Sequence, residues 1–382
     1  MTDTMTVTDV QALDAADPLA HFRERFHLRE GLITSWLEAL WSTAPRRIGD
    51  KIGRLIGANP GEIVASDSTS VNIFKALTAA LSLRRERTVI LSEATNFPTD
   101  VYMMQGVEAF SGGRVRAVTV APDAIVDALT DDVAVLLLTQ VHYKSGRVRD
   151  MAAITRAAHE AGALVVWDLS HSAGAIPVDL NGANADFAIG CGYKFLNGGP
   201  GAPAYLFAAA RHHAATPVLS GWFGHARPFA FEEDYDPAAG IERFQCGTPP
   251  VLGLAALEVG VDLMLEADMA EVRRKSLALG DLFIEQMQPL CETYGFELVS
   301  AQDHATRGSQ VAYAHPQGYQ IVQALKEYDV IADFRAPDIL RFGLTPLYLR
   351  YRDIVETARR LEKVCATRAW DKPQYHQRAA VT

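Results

Sequence analysis

Paired cysteines are absent from this chain of 382 residues: its four, Cys191, Cys246, Cys291 and Cys365, are widely scattered and form no CxxC pair or metal-ligand cluster. That excludes a disulfide framework and a structural zinc site, and the four read as reduced thiols. No apolar run approaches the length of a membrane span. Residues 1–17 are polar and acidic, without the basic start and apolar stretch of a secretory leader, so a cytoplasmic setting is expected. Positive charge is also in deficit. A net charge of −10 argues against a nucleic-acid-binding role, which needs a basic face. Neither an internal repeat nor a low-complexity linker appears. What is present, 49% hydrophobic and 21% charged residues, is the composition of an ordinary globular protein. Its length suggests one large α/β domain and a smaller one.

The chain is organised around Asp186-Phe187-Ala188-Ile189-Gly190-Cys191-Gly192-Tyr193-Lys194-Phe195-Leu196-Asn197-Gly198-Gly199-Pro200-Gly201. An apolar run ends in small residues, delivers a lysine and gives way to glycines. A lone lysine is usually a solvated surface residue. At the mouth of a buried strand, however, it can become a neutral amine that condenses with an aldehyde. Just upstream, the strand-like Ala163-Leu164-Val165-Val166 runs into Trp167-Asp168-Leu169-Ser170-His171-Ser172-Ala173-Gly174. An aspartate at one strand end and a lysine at another are what pyridoxal phosphate requires: an amine for its aldehyde and a carboxylate that keeps its pyridine nitrogen protonated.

Other stretches add to this pair. Asp67-Ser68-Thr69-Ser70 opens a helix predicted to run through Leu81, and such a helix start suits a phosphate. Asn96-Phe97-Pro98-Thr99-Asp100 follows a strand at 88–91; Phe97 can stack on a pyridine ring, Pro98 fits a first helical turn, and Asp100 is a candidate for fixing the loop or reaching the ring hydroxyl. Strands are predicted at 115–118 and 133–138, the second apolar almost throughout, as in a parallel sheet buried on both faces. Thr139 leaves its carboxyl end, placed to touch the cofactor. A helix at 150–161 completes the βαβ alternation, in which ligands bind beyond the carboxyl ends of strands. His171 is expected at the cofactor and Tyr193 at its phosphate and in proton transfer, each with packing as the plain alternative.

Together with Gly221-Trp222-Phe223-Gly224-His225 and Arg341-Phe342-Gly343-Leu344-Thr345-Pro346-Leu347-Tyr348, these motifs resemble, in order, those of the fold type I pyridoxal-phosphate enzymes, and within them the class V-like kynureninases. The resemblance runs from about Gly31 to the C-terminus. It implies a mostly parallel, seven-stranded α/β sheet flanked by helices, with a smaller α+β C-terminal domain. It also implies that Ser68, Thr69 and Thr248 hold the phosphate, that Trp222 reaches the phosphate region, and that Arg341 takes the substrate's α-carboxylate. Trp41 would lie near the substrate's aromatic ring. The activity implied is hydrolysis of L-kynurenine to anthranilate and L-alanine, in a homodimer with shared sites and with no metal. Variation at Gly247 and Thr248 bears on tolerance of a 3-hydroxyl, and here points to unsubstituted kynurenine.

One departure stands out. Between Glu30 and Gly31 the family pattern would carry a strand and turn with a Leu-Asp-Gly-Asn-Ser-Leu-Gly run, then a helix, and that block is missing. That gap favours one alternative, a cofactor-binding remnant without turnover; the other, a cysteine desulfurase-like enzyme, would share the lysine and aspartate and use Cys246 as its nucleophile, but Gly221 to His225 does not fit it. The expected organisation is an N-terminal tail and helices over 1–57, a large domain over 58–255 and a small one over 256–382. In detail, 1–16 is a tail, 18–26 a short helix and 31–57 one or two amphipathic helices burying Trp36, Leu40 and Trp41. A strand at 63–66 precedes the Asp67 turn. One long helix spans 252–288, and small-domain strands fall at 296–299, 310–313, 330–333 and 340–343.

Overall fold

The computed structural model describes residues 7–25, 36, 40–215 and 217–378. Contacts divide the chain into Met1–Thr43 and Ala44–Thr382. In the first unit, helix α1 spans Val7–Ala16 and a 3-10 turn covers Ala20–Arg25. This corrects the expected tail and the expected helix over 18–26. Pro18 disfavours helix in the residue before it, and the Asp17 carboxylate accepts the Leu19 N–H at 2.8 Å, so the chain turns where a helix was expected to begin. The expected junction at 30–31 lies outside the described residues. Leu40 and Trp41 are exposed, not buried, and Leu40 sits at φ 56, which interrupts any helix there. Trp41 meets Trp36 edge to face, with ring centroids 6.0 Å apart.

The second unit is built on a seven-stranded sheet: β1 (Ile63–Ala65), β2 (Val89–Glu93), β3 (Arg116–Val120), β4 (Val133–Thr139), β5 (Leu164–Asp168), β6 (Phe187–Cys191) and β7 (Ala204–Ala208). Its spatial order is β1-β7-β6-β5-β4-β2-β3, and only β7 runs against the rest. The central strands are apolar at successive positions because both faces are covered. Leu136, Leu138, Val165 and Trp167 share one face with α2 (Ala44–Ile56), α5 (Met151–Glu160) and α6 (Val251–Glu266). Val135, Leu137, Leu164 and Val166 point the other way, toward α3 (Thr69–Ser82) and α4 (Pro98–Phe110). Helix α2 packs directly on the sheet: a Cβ at Gly49 would lie 2.2 Å from the Ile63 carbonyl, and Arg47 and Lys51 both reach Glu258 on α6.

The predicted helix over 252–288 is two helices, α6 and α7 (Met269–Tyr294). Ala267 between them is extended, and Asp268 restarts the helix by accepting the Ala270 N–H at 2.8 Å, an N-cap that breaks the run. Beyond it, β8 (Glu297–Leu298), β9 (Gln310–Ala314), β10 (Asp333–Arg335) and β11 (Ile339–Gly343) form an antiparallel sheet in the order β10-β11-β9-β8. It shares a core with α7, α8 (Gly318–Lys326) and α9 (Tyr351–Ala366). Strand β10 starts later than the predicted 330–333, because Asp329 turns at φ 54 and Val330 to Ala332 serve as the connector.

Candidate active site

Parallel strands end along one edge of the large sheet, and the loops that follow them converge there. Asp168 is the last residue of β5, in register with Thr139 at the end of β4 and Ile189 in β6. Lys194 follows β6 on a tight loop closed by Gly198 N–H to Gly192 O at 3.0 Å and Asn197 N–H to Lys194 O at 3.0 Å. Gly192 is required there, since a Cβ would fall 2.4 Å from the Pro203 carbonyl. Ser68 caps α3 after β1, and Phe97 precedes α4 after β2. Because β7 runs in reverse, its amino end brings Gly201 to Ala204 to the same edge. Together these segments line a cleft of about 710 Å³.

Lys194 Nζ lies 3.0 Å from His171 Nε2, 5.7 Å from the centre of the Tyr193 ring and 6.0 Å from that of Phe97. Burial, then the neighbouring Lys194 charge, pushes His171 well below the usual histidine range, so its imidazole is neutral and one ring nitrogen accepts. Partial burial pushes the Tyr193 phenol up to about 12, so at neutral pH it keeps its proton. Asp168 and Asp100 form a buried carboxylate pair. Burial, then the Asp168 charge, drives Asp100 well above the usual range. Burial also raises Asp168, but the Ser170 N–H donates to its Oδ1 at 2.7 Å and Lys194 faces it. Asp168 is therefore the member that favours the anion, and Asp100 the one that retains a proton. Behind the cleft, the Thr139 hydroxyl donates to Asn96 Oδ1 and lies 3.3 Å from Asp100 Oδ2.

These residues fit pyridoxal phosphate. The cleft offers one amine, one buried carboxylate across from it, an aromatic face at Phe97 and, at the other end, the first turn of α3. The opening amides of that turn have no acceptor within their own helix, which suits a phosphate. Behind Thr139, Asp100 Oδ1 is buried and has no hydrogen-bond partner among the described residues.

Of the residues expected at the site, Ser68, Thr69, Phe97, Thr99, Thr139, Asp168, His171, Tyr193, Lys194 and Thr248 line the cleft. Pro98 opens α4 and Asp100 stands behind Thr139. Arg341 lines an adjoining pocket of about 420 Å³ that shares His171, Tyr193 and Lys194. Asp333 holds its guanidinium at 2.9 and 2.5 Å, and the Tyr143 carbonyl accepts from Nη1. Trp222 does not reach the cleft of its own chain. It stacks on Phe231, with centroids 6.1 Å apart, in a separate pocket with Ser220, His225 and Arg227. Trp41 lies in the N-terminal unit. Sequence reasoning missed Asp67, Ser170, Pro250 and Arg335. Asp67 was the most legible of these, being adjacent to the hydroxyl cluster that caps α3. Cys246 is a poor nucleophile: burial pushes its thiol up, and Sγ rests 3.6 Å from the Asp67 carboxylate.

A family model described as "Kynureninase C-terminal domain" matches residues 272–361. The chain is 42% identical to a kynureninase of Pseudomonas fluorescens, over 99% of this chain and 100% of that one. Identity is 49% to a kynureninase of Deinococcus radiodurans, over 92% and 94%. The Pseudomonas alignment spans 414 positions, more than the 382 residues present here, so that relative carries residues this chain lacks. Among solved structures, a cysteine desulfurase from Thermococcus onnurineus NA1 superposes with a TM-score of 0.75 at 16% identity, covering 94% of this chain and 91% of that one. A cystine C-S lyase does so at 0.71 and 15%, covering 96% and 94%. At such identities these two show the fold, which is fold type I.

Proposed function

The chain belongs to the kynureninase family, and from that premise we propose how its residues carry out the pyridoxal-phosphate-dependent hydrolysis of L-kynurenine to anthranilate and L-alanine. The observation that carries the reading is the meeting of Lys194, Asp168 and His171 at one cleft edge, with Arg341 on the pocket beside it. When bound, pyridoxal phosphate supplies the electron sink that lets a bond to the substrate's α-carbon break.

Lys194 is the residue that would hold the cofactor's aldehyde. Its Nζ is also the base that would take the substrate's α-proton, and neutral His171 at 3.0 Å would accept a hydrogen bond from the ammonium so formed. Asp168 would answer the pyridine nitrogen as an anion. Phe97, held edge-on by Tyr143 at 5.2 Å between centroids, would cover the ring. Ser68 and Thr69 at the start of α3, together with Thr248, would hold the phosphate. Arg341 receives the α-carboxylate. Asp333 and the Tyr143 carbonyl occupy three of its five N–H donors, leaving one on each terminal nitrogen. Water adds to the substrate's γ-carbonyl; when the bond from that carbon to Cβ breaks, the water oxygen stays with the aromatic acid, the electron pair passes to Cβ, and Tyr193, a phenol at neutral pH, is the candidate donor of the proton that Cβ takes up. 3-Hydroxy-L-kynurenine is a second substrate, with the unsubstituted ring preferred.

The position of Trp222 supports a homodimer in which this residue serves the partner's site. No helix among the described residues is long and apolar enough to cross a membrane. The test is purified holoenzyme with L-kynurenine, read by anthranilate fluorescence. Release of anthranilate is expected. Failure to release it from protein that retains bound cofactor would leave a remnant without turnover, and sulfur release from cysteine would favour the desulfurase alternative.

A further inference from the structure

Lys75 has no part in the chemistry above, yet it is wholly buried on α3, two turns below the helix start. A buried ammonium survives only if its charge and its donors are answered. Here Nζ lies 2.5 Å from Asp67 Oδ2 and 2.5 Å from the Phe244 carbonyl. Asp67 lines the cleft, immediately before Ser68 and Thr69. It is thus a carboxylate at the end of the cleft assigned to a dianionic phosphate, an arrangement that repels unless the carboxylate is neutralised.

The turn that carries Asp67 is held from several sides. Asp67 adopts φ 56, a left-handed conformation that few residues other than glycine, asparagine and aspartate take up. Its carbonyl accepts the Ala204 N–H at 2.9 Å, the Ser66 N–H donates to the Ala204 carbonyl at 2.9 Å, and Asn72 Nδ2 donates to the Ser66 carbonyl at 2.8 Å. Phe244, the other partner of Lys75, begins the loop that brings Thr248 to the cleft. One buried cation therefore joins both walls of the cleft's phosphate end and cancels the anion that stands there.

We infer that Lys75 is a positioning residue for the cofactor's phosphate: it neutralises Asp67 and ties the loop from Phe244 to Thr248 to the start of α3. This rests on the reading that the phosphate sits at that helix start. The test is equilibrium dialysis of wild-type, Lys75→Met, Asp67→Asn and doubly substituted holoenzymes against pyridoxal phosphate and, separately, against pyridoxal, which lacks the phosphate.

Lys75→Met should lose about tenfold or more in pyridoxal phosphate affinity, because an unpaired carboxylate then faces the phosphate, while pyridoxal affinity changes by less than about twofold. Adding Asp67→Asn should restore most of the loss. Asp67→Asn alone leaves Lys75 two acceptors, the asparagine Oδ1 and the Phe244 carbonyl, and makes the phosphate end more positive by one charge, so it should bind pyridoxal phosphate at least as tightly as wild type. Equal losses for the two ligands in Lys75→Met, no restoration in the double variant, or weaker binding in Asp67→Asn overturns the proposal. Equal affinity of wild type for the two ligands overturns instead the phosphate assignment on which it stands.

Discussion

At the residue scale the site turns on which groups carry protons. Lys194 and His171 share a 3.0 Å contact, and burial keeps the imidazole neutral, so that in the proposed mechanism it can accept from the Lys194 ammonium where a charged His171 would repel it. Burial raises both Asp100 and Asp168, Asp100 the further, and the Ser170 N–H together with Lys194 favours the anion on Asp168. Removing the amine tests the whole assembly. Lys194→Ala should show no visible band of lysine-bound cofactor and should lose at least about 10³-fold in kcat, since on the proposed reading it removes both the covalent anchor and the base. Undiminished anthranilate release by this variant would sink the assignment of Lys194.

At the scale of elements, the lysine loop is shaped by a helix far away in sequence. Gly260 on α6 packs so closely under that loop that a Cβ would sit 2.4 Å from the Leu196 carbonyl and 2.6 Å from the Asn197 carbonyl carbon. Backbone cannot move aside as a side chain does. Gly260→Ala should cost about 1–3 kcal/mol by overpacking and should lower kcat by displacing Lys194. Gly106 on α4 is the control, because a Cβ there meets nothing within 4 Å. Gly106→Ala should stabilise by about 0.5–1 kcal/mol through helix propensity and leave kcat unchanged. Denaturant melts together with steady-state rates separate the two, and equal behaviour of both variants would remove the argument.

At the scale of the molecule, one buried anion couples stability to pH. Asp186 opens into β6 with its carboxylate fully buried; burial opposes its charge, but His159, His212 and the Val165 N–H all bond to it and hold it well below the usual carboxylate range, with Arg211 alongside. A carboxylate whose folded pKa is depressed binds protons more readily when unfolded. The stability it provides is complete above the unfolded value near 4 and is lost as pH falls toward the folded one. Asp186→Asn should cost about 3–5 kcal/mol at neutral pH, because it leaves Arg211 without its counter-charge and weakens the hydrogen bonds from His159, His212 and the Val165 N–H, and should flatten the acid limb of Tm against pH below about 4. An unchanged acid limb in the variant would show that other carboxylates govern it.

Much of this was legible in sequence because it is local. Apolar runs marked the strands, hydroxyl residues marked the start of α3, and the lysine and aspartate each lay just past or at the end of a strand, which is where a parallel sheet gathers its ligand groups. The break between α6 and α7 was legible too and was missed: Asp268, followed three residues later by Glu271, is a helix-start signature inside an apolar run. Leu40 could not be read in the same way, since nothing local to it announces a left-handed turn. The sequence by itself therefore determined most strands of the large sheet, because apolar runs are local, and its motifs, in the order of a known family, pointed to the cofactor. Only the tertiary structure decided that Lys75 answers Asp67 and Phe244, that Asp333 orients Arg341, and that Trp222 stays out of its own cleft. Those pairings join residues brought together by strand crossovers and long loops, and periodicity along the chain carries no record of which distant charge a buried one will meet.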